Sequence, residues 1–153
     1  MRKESFFMPA QDGKEIFVYR WLPETKPVAV VQISHGMMEH AGRYERFASA
    51  LTEKGFSVYA NDHRGHGKTA GKLENVGIAA DKNGFFRMVD DMAFLTDTIR
   101  KENPALPVIL FAHSMGSLFA QLYISKYADK IKALVLSGTS GKVGIKIPIG
   151  ILI

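Results

Sequence analysis

Apolar residues recur along this chain with two alternating periods. VAVVQIS, Val28 to Ser34, is a continuous run rich in β-branched residues, the pattern of a strand covered on both faces. Phe56 to Ala60, Val108 to Ala112 and Ala133 to Ser137 read the same way. Between them the spacing becomes helical. Arg43 to Lys54 sets Tyr44, Phe47, Ala48 and Leu51 on one face, and Gly55 stands where a C-terminal cap glycine is expected. Phe85 to Lys101 repeats the pattern with Met88, Met92, Leu95 and Ile99, and Ser114 to Tyr127 with Met115, Leu118, Phe119, Leu122 and Tyr123. Ahead of these, two short strands flank Asp12-Gly13, a pair that tolerates positive φ, and the second covers Glu15 to Trp21. Strands alternating with helices predict an α/β fold with a mostly parallel sheet and right-handed crossovers. Residues 61–84 remain as one long glycine-rich irregular stretch, and long loops are where binding usually resides.

Composition narrows the chemistry. The 153 residues suit one domain with a real core. With no cysteine, disulfides, thiolate metal sites and cysteine nucleophiles are excluded. The net charge of +5 is spread without a basic run, so nucleic acid is not an expected partner. MRKESFFMPAQDG lacks the apolar segment of a secretory signal, and no apolar run approaches the ~20 residues needed to span a bilayer. The chain is expected to be cytoplasmic.

The run at Val108 breaks at Ala112-His113-Ser114-Met115-Gly116 and resumes as a helix. Strand, small-x-Ser-x-small, helix is the context of a nucleophile elbow, a turn so sharp that the serine hydroxyl stands free at the carboxyl edge of the sheet. The small residues Ala112 and Gly116 are needed because strand and helix nearly touch there. A plain helix cap is the simpler reading of a serine at this place. The strand ending at Ser34 adds a second feature, since it runs into His35-Gly36-Met37-Met38-Glu39-His40. Acyl transfer needs two N–H donors aimed at the developing oxyanion, one from the residue after the nucleophile and one from the loop after this earlier strand. Met115 and Met37 occupy those places.

These motifs carry a resemblance. HGMMEHAGRYERFASAL, VYANDHRGHGKT and FAHSMGSLFA resemble, in order and spacing, the α/β-hydrolase serine esterases of the monoacylglycerol lipase and lysophospholipase group. The resemblance extends from Phe6 to about Gly141. It implies an α/β-hydrolase fold and hydrolysis of carboxylic esters of lipids through an acyl-serine, without metal or organic cofactor. By position Ser114 resembles the nucleophile and the Met37 and Met115 amides the oxyanion hole. Asp62, Arg64 and Gly65 match the group's D-x-R-G-x-G loop, which with His35, Gly36, Ala112 and Gly116 supports the site. The expected partner is a lipid ester, with room for transient contact with a membrane surface.

Two rival readings of residues 61–69 fare worse. Gly67-Lys68-Thr69 imitates the end of a phosphate-binding loop, but Asp62 stands where that pattern demands glycine. Asp62, His63 and His66 could be offered as metal ligands, yet Arg64 would set a cation beside the ion.

The chain departs from the group in one respect. A serine needs a histidine to take its proton and an acid to orient that histidine, and in this fold both follow the serine in sequence. All five histidines, at 35, 40, 63, 66 and 113, precede Ser114, and Asp129 is the only acid after it. No residue here can be carried over as acid or base. His113 is read as packing, and His35 is the first candidate should an upstream histidine serve. The expectation is a hydrolase core truncated after about the sixth strand, with residues 1–141 as its N-terminal part and 142–153 beginning a cap. The alternative is an inactive hydrolase that binds acyl groups or serves as an interaction module. Either way Ala133 to Ser137 would be an exposed edge, open to self-association.

Overall fold

A computed structural model describes residues 1–80 and 82–141; the expected start of a cap at 142–153 lies outside the described residues. Six strands form one sheet: β1 (Arg2–Pro9), β2 (Glu15–Leu22), β3 (Ala29–Ser34), β4 (Phe56–Asn61), β5 (Val108–His113) and β6 (Ala133–Ser137). Their spatial order is β1-β2-β4-β3-β5-β6. β1 and β2 make an antiparallel hairpin, β2 lies antiparallel to β4, and β3 to β6 run parallel. This is the mostly parallel α/β sheet that the alternating pattern predicts. In the hairpin turn only Gly13 takes a positive φ; Asp12 does not.

The helices are α1 (Glu45–Glu53), the short α2 (Gly67–Ala70), α3 (Gly84–Glu102) and α4 (Met115–Tyr127). α1 packs on one face, where Ala48 shares an apolar cluster with Val31, Ile33, Val58 and Trp21. α3 and α4 cover the other through Leu95, Ile99, Phe119 and Tyr123. Because β3 is central and sandwiched, all six of its residues are buried, Gln32 and Ser34 included. Gly55 ends α1 with φ of 82°, its N–H donating to the Thr52 carbonyl at 3.0 Å. Two differences from the sequence reading stand out. The first helical turn, Ala41–Tyr44, is a 3₁₀ turn ahead of α1, and residues 61–84 contain α2 and a 3₁₀ turn at Leu73–Asn75 rather than wholly irregular chain. Among the described residues no helix is long and apolar enough to cross a membrane.

Among the described residues the two sheet edges differ in a way that matters. β1 carries Arg2, Lys3 and Glu4, charges that discourage pairing with another strand. β6 reads ALVLS, with Val135 47% exposed and Leu136 36% exposed. An uncharged, apolar edge is a template for a further strand. The 153-residue chain at micromolar concentration is therefore expected to associate, giving a light-scattering mass of a dimer or larger; a monodisperse monomer would contradict an open β6 edge.

Candidate active site

Ser114 stands between β5 and α4 with φ of 51° and ψ of −118°, and it is exposed. A non-glycine residue at positive φ is strained by roughly 1–3 kcal/mol and persists only where its surroundings impose it. Three contacts impose it here. The Ser114 amide donates to the Ser137 carbonyl at 2.9 Å, and its own carbonyl accepts from the Ser117 amide at 2.9 Å and hydroxyl at 2.6 Å. Behind it, α4 passes so close to β3 that a methyl group on Gly116 would lie 2.4 Å from the Ser34 carbonyl oxygen and 2.6 Å from that of His35. Only glycine fits there. Ala112 is fully buried opposite Ser34, so alanine is accommodated where glycine is usual.

The loop after β3 lies against this elbow. A methyl group on Gly36 would sit 3.2 Å from Ser114 Cβ. Neither the Met37 nor the Met115 amide has an acceptor among the described residues. Met115 opens α4, whose first amides and dipole favour negative charge. Met38 is held at φ of 58°, which keeps the turn tight. Glu39, which the sequence reading leaves out, folds back over the loop: its Oε1 accepts from the Gly36 amide at 2.6 Å and the Tyr44 hydroxyl at 2.7 Å. The only sequence signal for it is the three-residue spacing from Gly36, the reach of a capping-box glutamate.

His35 is wholly buried; its Nδ1–H donates to the Gly36 carbonyl at 2.7 Å, which leaves Nε2 to accept the His63 amide at 2.9 Å. Both ring nitrogens are engaged, so His35 cannot take a proton from Ser114. Because the C=O and N–H of a trans peptide point opposite ways, the same bond fixes the direction of the Met37 N–H. His113 is half-buried with Nδ1 3.2 Å from the Ser137 hydroxyl, which agrees with a packing role.

The loop after β4 braces the site from the side. Asp62 accepts from the Ala41 amide at 2.8 Å and the Lys68 amide at 2.7 Å, so the backbone donor that a phosphate would need is taken. His63 Nε2 pairs with the Ser34 hydroxyl at 3.0 Å, while His66 Nδ1 lies 2.9 Å from the Arg64 carbonyl. The three offered metal ligands thus serve different partners. Gly65, at φ of 73°, lies so near Ile78 that a methyl group would be 2.8 Å from its nitrogen. Arg64 forks onto two carboxylates, Asp91 at 2.7 and 2.9 Å and Asp12 at 2.6 and 2.8 Å. Those bonds hold its guanidinium protonated. Burial pushes the Asp91 carboxyl up, and Arg64 opposes it.

Burial also pushes His35 down to about 4 and His63 well below its ordinary value. Unfolding releases both into water, where they take protons below about pH 6.5. A depressed folded pKa means stability that is whole above the unfolded value and declines as pH falls through the window toward 4. His35 alone accounts for about 3 kcal/mol across that window, His63 adds in the same sense, and the buried Asp62, raised by burial, partly opposes them. Urea midpoints followed by circular dichroism should drop clearly between neutral pH and the lower end of that window; a midpoint that stays level would mean the two rings are not neutral and buried.

The chain is similar to known proteins. Residues 25–152 match the serine aminopeptidase S33 family. The chain is 40% identical over 126 residues to the monoacylglycerol lipase of Mycolicibacterium smegmatis, covering 82% of this chain and 43% of that protein. It is 36% identical over 125 residues to the monoglyceride lipase of Homo sapiens, covering 82% of this chain and 39% of that one. A thermostable carboxyl esterase from Bacillus coagulans, solved with glycerol, superposes with a TM-score of 0.85 at 36% identity over 93% of this chain and 46% of its own. The chain thus spans less than half the length of these relatives.

Proposed function

The chain belongs to the serine aminopeptidase S33 family of α/β-hydrolases, and from that premise we propose that it carries the nucleophile and oxyanion hole of a carboxylic-ester hydrolase acting on lipid esters of the monoacylglycerol or lysophospholipid class. The observation that supports this most is Ser114, exposed at positive φ between strand and helix with the Gly36 loop against it. In this reading the Ser114 oxygen attacks the ester carbonyl, the carbonyl oxygen gathers negative charge, and the Met37 and Met115 amides donate to it. The alcohol leaves and an acyl-serine remains, to be cleared by water. The general base and its orienting acid are not among these 153 residues: every histidine precedes Ser114, and His35 is engaged at both ring nitrogens.

That last observation also favours a second reading, an acyl-binding module without turnover. An Asp followed by a His in the gene beyond Ile153 supports the first; a stop codon supports the second. A direct test of Ser114 is slow labelling with excess alkyl fluorophosphonate, read by intact-mass and peptide mass spectrometry. One adduct is expected, on the peptide containing Ser114 and absent in Ser114→Ala. Labelling that survives the substitution would overturn the assignment.

A further inference from the structure

Glu39 sits where a carboxylate is unwelcome, beside a centre that must stabilise a developing negative charge. A methyl group on Gly36 would lie 2.9 Å from Glu39 Oε1 and 3.2 Å from Ser114 Cβ, so the carboxylate and the serine both close on the same side of the Gly36 α-carbon. The carboxylate is offset by its donors. Oε1 takes the Gly36 amide and the Tyr44 hydroxyl, and Oε2 lies 3.9 Å from Arg43 Nη1. Both short bonds end on one oxygen. A group satisfied in this way contributes geometry more than field.

The geometry concerns one peptide plane. His35 holds the Gly36 carbonyl and so sets the rotation of the Gly36–Met37 peptide. Rotation alone does not fix its position, because the turn is strained at Met38, φ 58°, and strain of this kind relaxes unless something opposes it. Among the described residues the Gly36 amide has no acceptor other than Glu39. Tyr44, in the turn that precedes α1, ties that carboxylate to a regular element.

We propose that Glu39, anchored by Tyr44, is a positioning residue for the oxyanion loop: it pins the Gly36 amide so that the Met37 N–H meets the oxygen that develops when Ser114 attacks. This rests on the roles proposed above for Ser114 and Met37. Fluorophosphonate labelling tests it, since the Ser114 oxygen bonds to phosphorus, fluoride leaves, the serine proton passes to water, and the phosphoryl oxygen gathers charge as an ester carbonyl would. Losing an oxyanion donor outright lowers such rates by about 10²–10³. Misplacing one by Glu39→Ala should lower the Ser114 labelling rate about tenfold or more. Glu39→Gln, whose amide oxygen can take both donors at the place of Oε1, should recover the rate to within a few-fold, and Tyr44→Phe should fall between, with far-UV circular dichroism unchanged in both. If Glu39→Ala does not fold, the Gln and Phe variants still decide the matter, because a Tyr44→Phe rate equal to that of the unaltered chain counts against the anchor. Ser114-dependent labelling that Glu39→Ala leaves at full rate overturns this proposal alone. So does Glu39→Gln as slow as Glu39→Ala, which would make charge rather than position the cause. Absence of Ser114-dependent labelling in the unaltered chain overturns the nucleophile assignment, and this proposal with it.

Discussion

Given p-nitrophenyl butyrate at neutral pH, the 153-residue chain should release p-nitrophenol about 10⁴–10⁶ times more slowly than a complete serine esterase. The physical reason is the proton. An alcohol oxygen attacks poorly unless its hydrogen leaves as the bond forms, and among the described residues no histidine ring nitrogen is hydrogen-bonded to the Ser114 hydroxyl. His35 is engaged at both nitrogens and His63 is buried against Ser34. What persists is the stabilisation that the proposed oxyanion donors and ester binding would supply, which leaves a small residual rate. Supplying the missing base should restore turnover, and Ser114→Ala should abolish it again. A rate typical of ordinary esterases from the chain alone, lost on Ser114→Ala, would mean that one of the five histidines reaches the serine in a conformation other than this one.

The second large effect concerns stability. Arg64→Ala removes the cation between Asp91 and Asp12 and leaves Asp91, its side chain 4% exposed, as a buried charge without its partner. Breaking a buried pair from one side typically costs about 3–5 kcal/mol, a large share of the ~5–15 kcal/mol that holds a domain together. Urea titration should show most of that loss. Arg64→Lys should recover little, because an ammonium cannot fork onto two carboxylates. The double change Arg64→Leu with Asp91→Leu should be less damaging than Arg64→Ala, since no buried charge is left behind. Additive losses in the double variant would mean that the pair is not coupled as its bidentate geometry implies.

What the sequence disclosed follows the range over which each constraint acts. β6 matches its predicted bounds, Ala133–Ser137, and β3 and β5 differ from theirs by one residue, because an apolar run between polar ends is self-delimiting. The start of α1 is later than predicted since neither Tyr44 nor His40 provides a side-chain cap and the first turn tightens to 3₁₀. The four residues of α2 are too few to show a period. Ser114, Gly116 and Gly36 were legible because their demands are local: one backbone angle at Ser114, a place at Gly116 where a Cβ will not fit, and a close approach to Ser114 at Gly36. The partners of Arg64 were not, because Asp12 and Asp91 come to it from 52 and 27 positions away. Glu39 was missed for another reason. Its partner is three residues distant, yet nothing in its identity separates a carboxylate turned inward from one facing water. The identity of His35 leaves site support and an upstream base both open, and only its two hydrogen bonds show which role is closed to it.

The central place of β3 has a consequence for how the molecule is made. Val30 pairs on one side with Ser57 and on the other with Val108, so its second neighbour leaves the ribosome long after the strand itself. At about 5–20 residues per second that interval lasts roughly 4–16 s. For that time the strand that ends up buried at every position, Ala29–Ser34, can be paired by β4 alone, with an open side. The loop at Gly36, the proposed oxyanion loop, is likewise synthesised well before Ser114, which it lies against. Nascent chains halted between β4 and β5 should therefore be bound by trigger-type chaperones and be protease-sensitive at residues 29–34, whereas chains released past α4 should be protected there.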